Sequence, residues 1–195
     1  MKGQMDDCCD SAPLTESTEA FFEVVERRRS VRKYRRSRMP ADHLDRILKA
    51  AQLAPSARNA QPWSFIVVSE DSMKRFLAKA VGNQTFVGDA SVVVAVLGSR
   101  DQAPYWYMYD PMIAAEHIVL AATALGYGTC WIGALADYVP ENAAAVKKAL
   151  KIPEDRSIVC LLTIGVPDEN PPARPRDRLE TMCFKEVFGN PMKFR

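Results

Sequence analysis

One apolar helix constrains the fold of this chain more than any other part of its sequence. It is predicted to start at Asp110-Pro111, an acid at the N-cap followed by proline at the first helical position, and to end with Gly126 as its C-cap. Between these ends stand five alanines among larger aliphatic residues. Because a helix that is apolar nearly all round must be buried on most sides, the other elements are expected to enclose it.

Shorter apolar segments supply the elements around this helix. Apolar runs of strand length predict strands at residues 64–69, 92–97, 129–134, 157–166 and 181–185. Helical spacing predicts further helices that open at Phe21, stop before Pro55, begin at a cap on Asp71, and cover residues 140–150. The strands are too few and too irregularly connected for a doubly wound sheet, so the expected class is α+β.

Length and composition limit the organisation of the chain. We expect a disordered acidic tail over residues 1–17 and a single domain over residues 18–195. The chain carries neither an apolar run of about 18 residues nor a signal-peptide core, so we expect no membrane association. Five cysteines without a Cys-x-x-Cys spacing indicate neither a disulfide framework nor a zinc site, and only two histidines are present. We therefore expect a cytoplasmic protein without a metal.

A strongly basic segment follows the first predicted helix. Residues 27–38 contain eight Lys or Arg and no acid, whereas residues 1–26 contain seven acids and one lysine. Three interpretations are open: a clamp for an anionic cofactor, a solvated helix end, or a surface for nucleic-acid phosphates. The small net charge of +2 and the lack of interleaved aromatic residues beyond Tyr34 weigh against nucleic acid.

A second polar segment, residues 55–63, lies between prolines and contains hydroxyl and amide side chains. A plain turn after a helix stop, with Trp63 in the core, is one interpretation. The other is a rigid loop whose Ser56, Asn59 and Gln61 hydrogen-bond the edge of a planar heterocycle. Neither polar segment pairs a nucleophile with a histidine, so a bound cofactor is expected to carry the chemistry.

Four motifs, taken in order, resemble the FMN-dependent nitroreductase family. They are Arg28-x-Ser30-x-Arg32, then Pro55-Ser56 with Asn59 and Gln61-Pro62-Trp63, then residues 126–133, and finally Arg174-Pro175-Arg176. Any one of them is weak, whereas four at family spacing are specific. The resemblance implies a central, mostly antiparallel sheet flanked by helices. It also implies a domain-swapped homodimer that exchanges C-terminal segments, with FMN at the interface.

The same resemblance implies cofactor-binding roles for particular residues. The phosphate and ribityl chain are expected to contact Arg28, Arg29, Ser30, Arg174 and Arg176. Arg32 is expected near flavin N1, where a cation stabilises the charge of the reduced ring. The partner subunit is expected to contribute Pro55, Ser56, Ala57 and Asn59. The ring edge is expected to contact either Asn83 or Gln84, and N5 the backbone near Trp131, Ile132 and Gly133.

The implied activity is hydride transfer from NADH or NADPH, through flavin N5, to nitroaromatic, quinone or related conjugated acceptors by a ping-pong mechanism. No side chain is expected to be catalytic by itself. Two alternatives stay open. One is a different flavin reaction on the same scaffold, such as dehydrogenation of a peptide or metabolite, or flavin fragmentation. The other is a basic nucleic-acid-binding module.

Overall fold

The computed structural model describes residues 15–133 and 140–194. Most of the expected tail lies outside these residues. The boundary expected after residue 17 falls inside helix α1 (Glu16–Arg27), whose N-cap is Thr15. The Thr15 hydroxyl accepts a hydrogen bond from the backbone N–H of Thr18, which satisfies one free donor of the first turn.

Helices and strands alternate along most of the described chain. The other helices are α2 (Ala41–Gln52), α3 (Asp71–Ala80), α4 (Phe86–Asp89), α5 (Tyr109–Ala124) and α6 (Pro140–Ala149). The strands are β1 (Tyr34–Arg35), β2 (Trp63–Val68), β3 (Val92–Ser99), β4 (Gly128–Ile132) and β5 (Arg156–Pro167). Single 3₁₀ turns cover Ala57–Asn59 and Leu179–Thr181. The four internal strand predictions and the predicted α2, α3 and α6 are confirmed within a few residues at each end.

The strands form one antiparallel sheet centred on β5. β5 pairs with β1, β3 and β4, and β2 pairs with β3 on its other side. A parallel bridge between Ser30 and Thr129 adds the basic segment to this sheet. The expected α+β class with a mostly antiparallel sheet is confirmed.

Side chains of β3 alternate between two cores, which explains its unbroken apolar sequence. Val92, Val94 and Val96 pack with α2 and α5 on one face of the sheet. Val93, Ala95 and Leu97 pack on the opposite face in a core that includes residues of α3 and α6. The sheet is therefore covered by helices on both faces.

The apolar helix α5 occupies the position that its composition predicts, although its start differs. Ala114, Ala115 and Ile118 are fully buried between the sheet and α2. Asp110 is not the N-cap, because the helix begins at Tyr109 after Met108. Asp110 is instead the second helical residue, 4% exposed, with its carboxylate turned to a neighbouring loop.

Two further local predictions are wrong. Asp71 is the first helical residue of α3 rather than its cap, and its carboxylate pairs with Lys74 at 3.0 Å. The last strand expected at residues 181–185 is not formed, because this segment finds only a single bridge partner, between Phe184 and Pro191. A strand needs a neighbour along its length, and the described C-terminal segment offers none. Among the described residues, no helix is long and apolar enough to cross a membrane.

Candidate active site

The basic segment forms a tight turn that is held from the interior of the protein. α1 ends at Arg27, and the next residues leave the helix axis. The N–H of buried Val31 donates to the carbonyl of Thr129 at 2.8 Å. The hydroxyl of buried Tyr34 donates to the Val31 carbonyl at 2.6 Å and lies 2.7 Å from the Thr163 hydroxyl. The turn therefore has its apolar side in the core and its arginines on the outside.

A glycine makes this close approach possible. A Cβ added at Gly128 on β4 would lie 2.7 Å from the Cβ of Val31, closer than side-chain carbons approach one another. The turn of residues 28–33 can thus lie directly on β4 only because position 128 has no side chain.

The second arginine motif reaches the same place from the end of β5. After Pro167 the chain continues as an extended, proline-rich loop, and the N–H of Asp168 donates to the Lys33 carbonyl at 2.9 Å. The carboxylate of Glu169 accepts hydrogen bonds from the backbone N–H groups of Arg32 and Lys33, the latter at 3.1 Å. The loop then passes in front of the turn.

The two motifs line one open cleft of about 740 Å³. Six of the residues predicted to bind a cofactor line the cleft: Arg28, Arg29, Ser30, Arg32, Arg174 and Arg176. Glu26, Glu169 and a run of prolines complete its walls. Five guanidinium groups and a hydroxyl form a donor set that fits the phosphate end of FMN, because guanidinium forks match phosphate oxygens.

The arginines of the cleft differ in solvent exposure and in their hydrogen bonds to the protein. Arg29 turns back on the end of α1 and donates from Nη1 to the carbonyls of Glu26 and Arg28, at 2.5 and 2.7 Å. Arg32, Arg174 and Arg176 are exposed to solvent along the cleft. Arg29 therefore stabilises the turn, whereas the exposed arginines are accessible to a ligand in the cleft.

The polar loop of residues 55–63 is rigid but does not line this cleft. Three of its residues have left-handed φ angles although none is a glycine: 55° at Arg58, 56° at Asn59 and 47° at Gln61. The buried Asp110 carboxylate accepts from the Ala57 N–H at 3.1 Å, and the Ser56 hydroxyl accepts from the Gln61 N–H at 3.0 Å. Left-handed backbone at such residues is costly and persists where the surroundings enforce it.

The remaining predicted residues lie on other elements. Asn83 is exposed with φ of 58°, in the turn after α3, whereas the Gln84 amide donates to the Val81 carbonyl at 2.9 Å. Asn83 is thus the freer of the two candidate amides. Ile132 is buried at the end of β4, while Trp131 is 36% exposed and Gly133 is exposed. None of these residues, nor Pro55, Ser56, Ala57 or Asn59, lines the arginine cleft within the described chain.

Charges of opposite sign act on the strand next to the cleft. Burial raises the pKa of the Cys130 thiol, the charge of Arg32 lowers it, and the charge of Glu169 raises it. Burial also raises the pKa of Tyr34, which keeps its phenol protonated as a hydrogen-bond donor. No sequence pattern pointed to Glu169, since a lone acid in a proline-rich loop identifies no partner.

Neither histidine takes part in the cleft. His117 Nδ1 lies 2.9 Å from the Ala50 carbonyl, and His43 Nδ1 lies 2.8 Å from the Tyr127 hydroxyl. In the described part of the chain, no three His, Cys, Asp or Glu side chains gather as a metal site. A second, slightly larger cleft of about 820 Å³ lies near the start of α3 and contains none of the predicted residues.

The fold and the cleft define an α+β protein with an anion-receptive site built on an antiparallel sheet. The sequence model of the nitroreductase family matches residues 25–82 and 76–166. This match shows that the chain belongs to the nitroreductase family, which makes it an oxidoreductase.

Individual relatives agree with this assignment. An NADH dehydrogenase/NAD(P)H nitroreductase-type protein of Methanothermobacter thermautotrophicus is 33% identical over 155 residues, 78% of this chain and 80% of the relative. The NADPH-flavin oxidoreductase of Vibrio harveyi is 27% identical over 80% of this chain and 69% of its own length. The solved FMN-dependent nitroreductase of Clostridium difficile is 31% identical, with a TM-score of 0.77 over 86% of this chain and 99% of that one.

Proposed function

We propose that this protein is an FMN-dependent oxidoreductase that takes hydride from NADH or NADPH and passes it to nitroaromatic, quinone or related conjugated acceptors in a ping-pong sequence. The observation that carries the proposal is the convergence of the two arginine motifs on one cleft, although more than 140 residues separate them. Relatives described as an NADPH-flavin oxidoreductase and an FMN-dependent nitroreductase support the choice of cofactor and reductant.

The phosphate end of FMN is held by Arg28, Arg174, Arg176 and the Ser30 hydroxyl, with Arg29 bracing the turn. Pro175 fixes one backbone angle between the two arginines of the second arm and so limits their motion. Several charge-assisted hydrogen bonds from rigid elements bind a phosphate strongly and in one orientation.

The flavin ring is contacted by one cationic side chain and by the backbone at the end of β4. When bound, FMN supplies the hydride chemistry, and the protein orients it and adjusts its electrostatics. Arg32 stabilises the negative charge that develops at N1. The backbone at Trp131, Ile132 and Gly133, where β4 ends, is the contact for the N5 edge, and Asn83 is the candidate contact for the ring edge.

A partner copy completes the site in this proposal. The strained loop that carries Pro55, Ser56, Ala57 and Asn59 lies outside the arginine cleft of its own chain and reaches the cofactor of the second subunit of a homodimer. Large apolar side chains stay exposed on α1, on α5 and in the C-terminal segment, where the second subunit would cover them. Free thiols at Cys130, Cys160 and Cys183 suit the cytoplasm, where we place the protein.

Flavin content tests the proposal directly. We expect the purified protein to be yellow and to be bleached under anaerobic conditions by NADH or NADPH, and a panel of nitroaromatics and quinones to restore the colour. The double variant Arg28→Ala/Arg176→Ala should lose most of its bound FMN. Arg178→Ala is the control, because Arg178 is an exposed arginine of the same segment as Arg176 but pairs with Glu180 outside the cleft. Full flavin content in the double variant would refute the assignment of the phosphate clamp.

A further inference from the structure

The arginine cleft contains a carboxylate whose position the proposed activity does not explain. Glu169 follows β5 by two residues and lines the cleft beside Arg28, Arg32 and Arg176. A carboxylate repels the phosphate that this donor set would attract, so its presence calls for a compensating role.

The hydrogen bonds of Glu169 indicate that role. One oxygen of its carboxylate accepts from two consecutive backbone N–H groups, those of Arg32 and Lys33. These contacts join residues 137 and 136 positions apart. Adjacent N–H groups that point into one concavity form an anion-binding nest, and here the anion is part of the protein.

The backbone adds a second connection between the same two segments. The N–H of Asp168 donates to the carbonyl of Lys33 at 2.9 Å, so loop and turn are tied by side chain and main chain together. Because Arg28 belongs to the turn and Arg174 and Arg176 belong to the loop, these ties fix the distance between the two arms of the clamp.

Glu169 stands in a wall rather than in the centre of the cleft. Glu169, Arg29 and Pro171 line both the arginine cleft and a smaller cavity of about 260 Å³ behind it. A carboxylate in a dividing wall leaves the cleft open, whereas a plug that a ligand must displace would stand inside it.

We propose that Glu169 is a positioning residue: its carboxylate latches the Arg32–Lys33 turn to the proline-rich loop and so holds both arms of the arginine clamp in the spacing that FMN phosphate requires. This inference rests on the proposed function, since it takes FMN as the ligand. The latch itself is a property of the protein without ligand and can be measured without it.

The first measurement follows the latch in the ligand-free full-length protein. We expect Glu169→Ala to accelerate hydrogen exchange at the Arg32 and Lys33 amides, because it removes their acceptor, while Asp168→Ala leaves both amides protected. Asp168 is the matched control, since it is the adjacent acid and its exposed side chain lies outside the cleft lining. Unchanged exchange in Glu169→Ala would overturn the latch.

The second measurement titrates each variant with FMN and with riboflavin, which lacks the phosphate. Glu169→Ala should weaken FMN binding about tenfold, the scale of one lost charge-assisted hydrogen bond, and leave riboflavin affinity nearly unchanged. Glu169→Gln, which keeps an acceptor oxygen, should restore part of the FMN affinity, and Asp168→Ala should match the wild type. A role in general stability would lower the affinity for both ligands equally and would contradict the proposal.

Two other outcomes are distinguishable. Tighter FMN binding by Glu169→Ala would mean that the carboxylate competes with phosphate, which overturns the latch. If wild-type protein binds neither flavin while its Arg32 and Lys33 amides still depend on Glu169, the proposed cofactor is wrong. The positioning of the clamp for FMN then fails with it.

Discussion

At the scale of single residues, Tyr34 connects the candidate site to the core. Its ring packs where Gly165 leaves space, since a Cβ there would lie 2.9 Å from the tyrosine ring. Its hydroxyl connects the Val31 carbonyl to Thr163 on the central strand, and the Thr163 hydroxyl also accepts from the Cys130 N–H at 3.2 Å. The phenol therefore adds to the Val31–Thr129 backbone hydrogen bond in holding the basic turn on the sheet.

Tyr34 makes the folded state sensitive to alkaline pH. Burial raises its pKa above the ordinary value of 10.0, so above pH 10 the unfolded chain loses this proton first and stability falls as the pH rises. We expect Tyr34→Phe to lower stability near neutral pH by about 1–2 kcal/mol through lost hydrogen bonds. Tyr34→Phe should also remove the part of the pH dependence that comes from this one proton. That part lowers the free energy of unfolding by about 1.4 kcal/mol per pH unit above pH 10.

Urea unfolding from pH 8 to 11 measures both effects of Tyr34→Phe, with Tyr105→Phe at an exposed phenol as the control. Parallel curves for Tyr34→Phe and wild type would contradict this.

Substitution of Arg32 should affect the rate of flavin reduction more than the affinity for FMN. If the charge of Arg32 acts at the reduced ring, Arg32→Ala slows flavin reduction by NADH or NADPH about tenfold. This is less than the roughly 100-fold or more lost when a buried charge-stabilising donor is removed, because Arg32 is exposed to solvent. Its effect on FMN affinity should be smaller, because other arginines remain at the phosphate end. Stopped-flow reduction and FMN titration give the two numbers. Arg35→Ala, an exposed neighbour on β1, is the control, and a reduction rate unaffected by Arg32→Ala would exclude a role at the ring.

At the scale of elements, the start of α5 shapes a loop that belongs to a different part of the sequence. The buried Asp110 carboxylate at the start of α5 accepts a hydrogen bond from the N–H of Ala57. Three of the next four residues after Ala57, namely Arg58, Asn59 and Gln61, have left-handed backbone conformations. A conformation of this cost needs an external hold, and the described contacts supply it from α5.

Removing this hold should loosen the loop without unfolding α5. We expect Asp110→Ala to destabilise the protein by about 1–3 kcal/mol, the cost of leaving a backbone donor without its charged acceptor. Amide exchange across residues 57–61 should accelerate more than exchange in β3. Asp101→Ala, at an exposed acid in the preceding turn, is the matched control. Equal exchange at Ala57 in wild type and Asp110→Ala would show that the loop holds itself.

At the scale of the whole molecule, several large apolar side chains of the described residues are exposed to solvent. Phe21 and Phe22 on α1, Ile113 on α5 and Phe188 near the C-terminus are all large and exposed, Phe188 by 91%. The second subunit of the proposed homodimer would cover some of these side chains.

The C-terminal contribution to this interface can be tested with one charge. We expect Phe188→Glu to weaken self-association by tenfold or more, since a carboxylate would be buried at an apolar contact, and to lower flavin content with it. Lys193→Gln lowers the net charge by the same amount in the same exposed segment and should leave both unchanged. Sedimentation across a concentration series reads the result. A dimer equally stable in both variants would place the interface elsewhere.

Sequence patterns identified those features that depend on local chemistry. The apolar composition of α5 predicted its burial, and the order of the arginine motifs predicted residues that the fold brings to one cleft. The role of Asp110 was missed, because an acid before proline looks like a cap until the loop it contacts is known. Glu169 and the left-handed residues of the 55–63 loop depend on contacts between distant segments, which no local pattern encodes. The expected strand at residues 181–185 was wrong, because the segment forms only one isolated bridge, between Phe184 and Pro191, and no ladder with a neighbouring strand.

The unequal burial of the thiols determines where a chemical label can be attached. Cys130 and Cys160 are buried, and burial raises the pKa of both, which suppresses the thiolate that reacts with maleimides. Cys183 is only partly covered and lies in the C-terminal segment. With Cys8 and Cys9 replaced by serine, a fluorophore at Cys183 becomes a single-site reporter. Energy transfer between donor- and acceptor-labelled copies would then follow that segment as subunits associate and exchange.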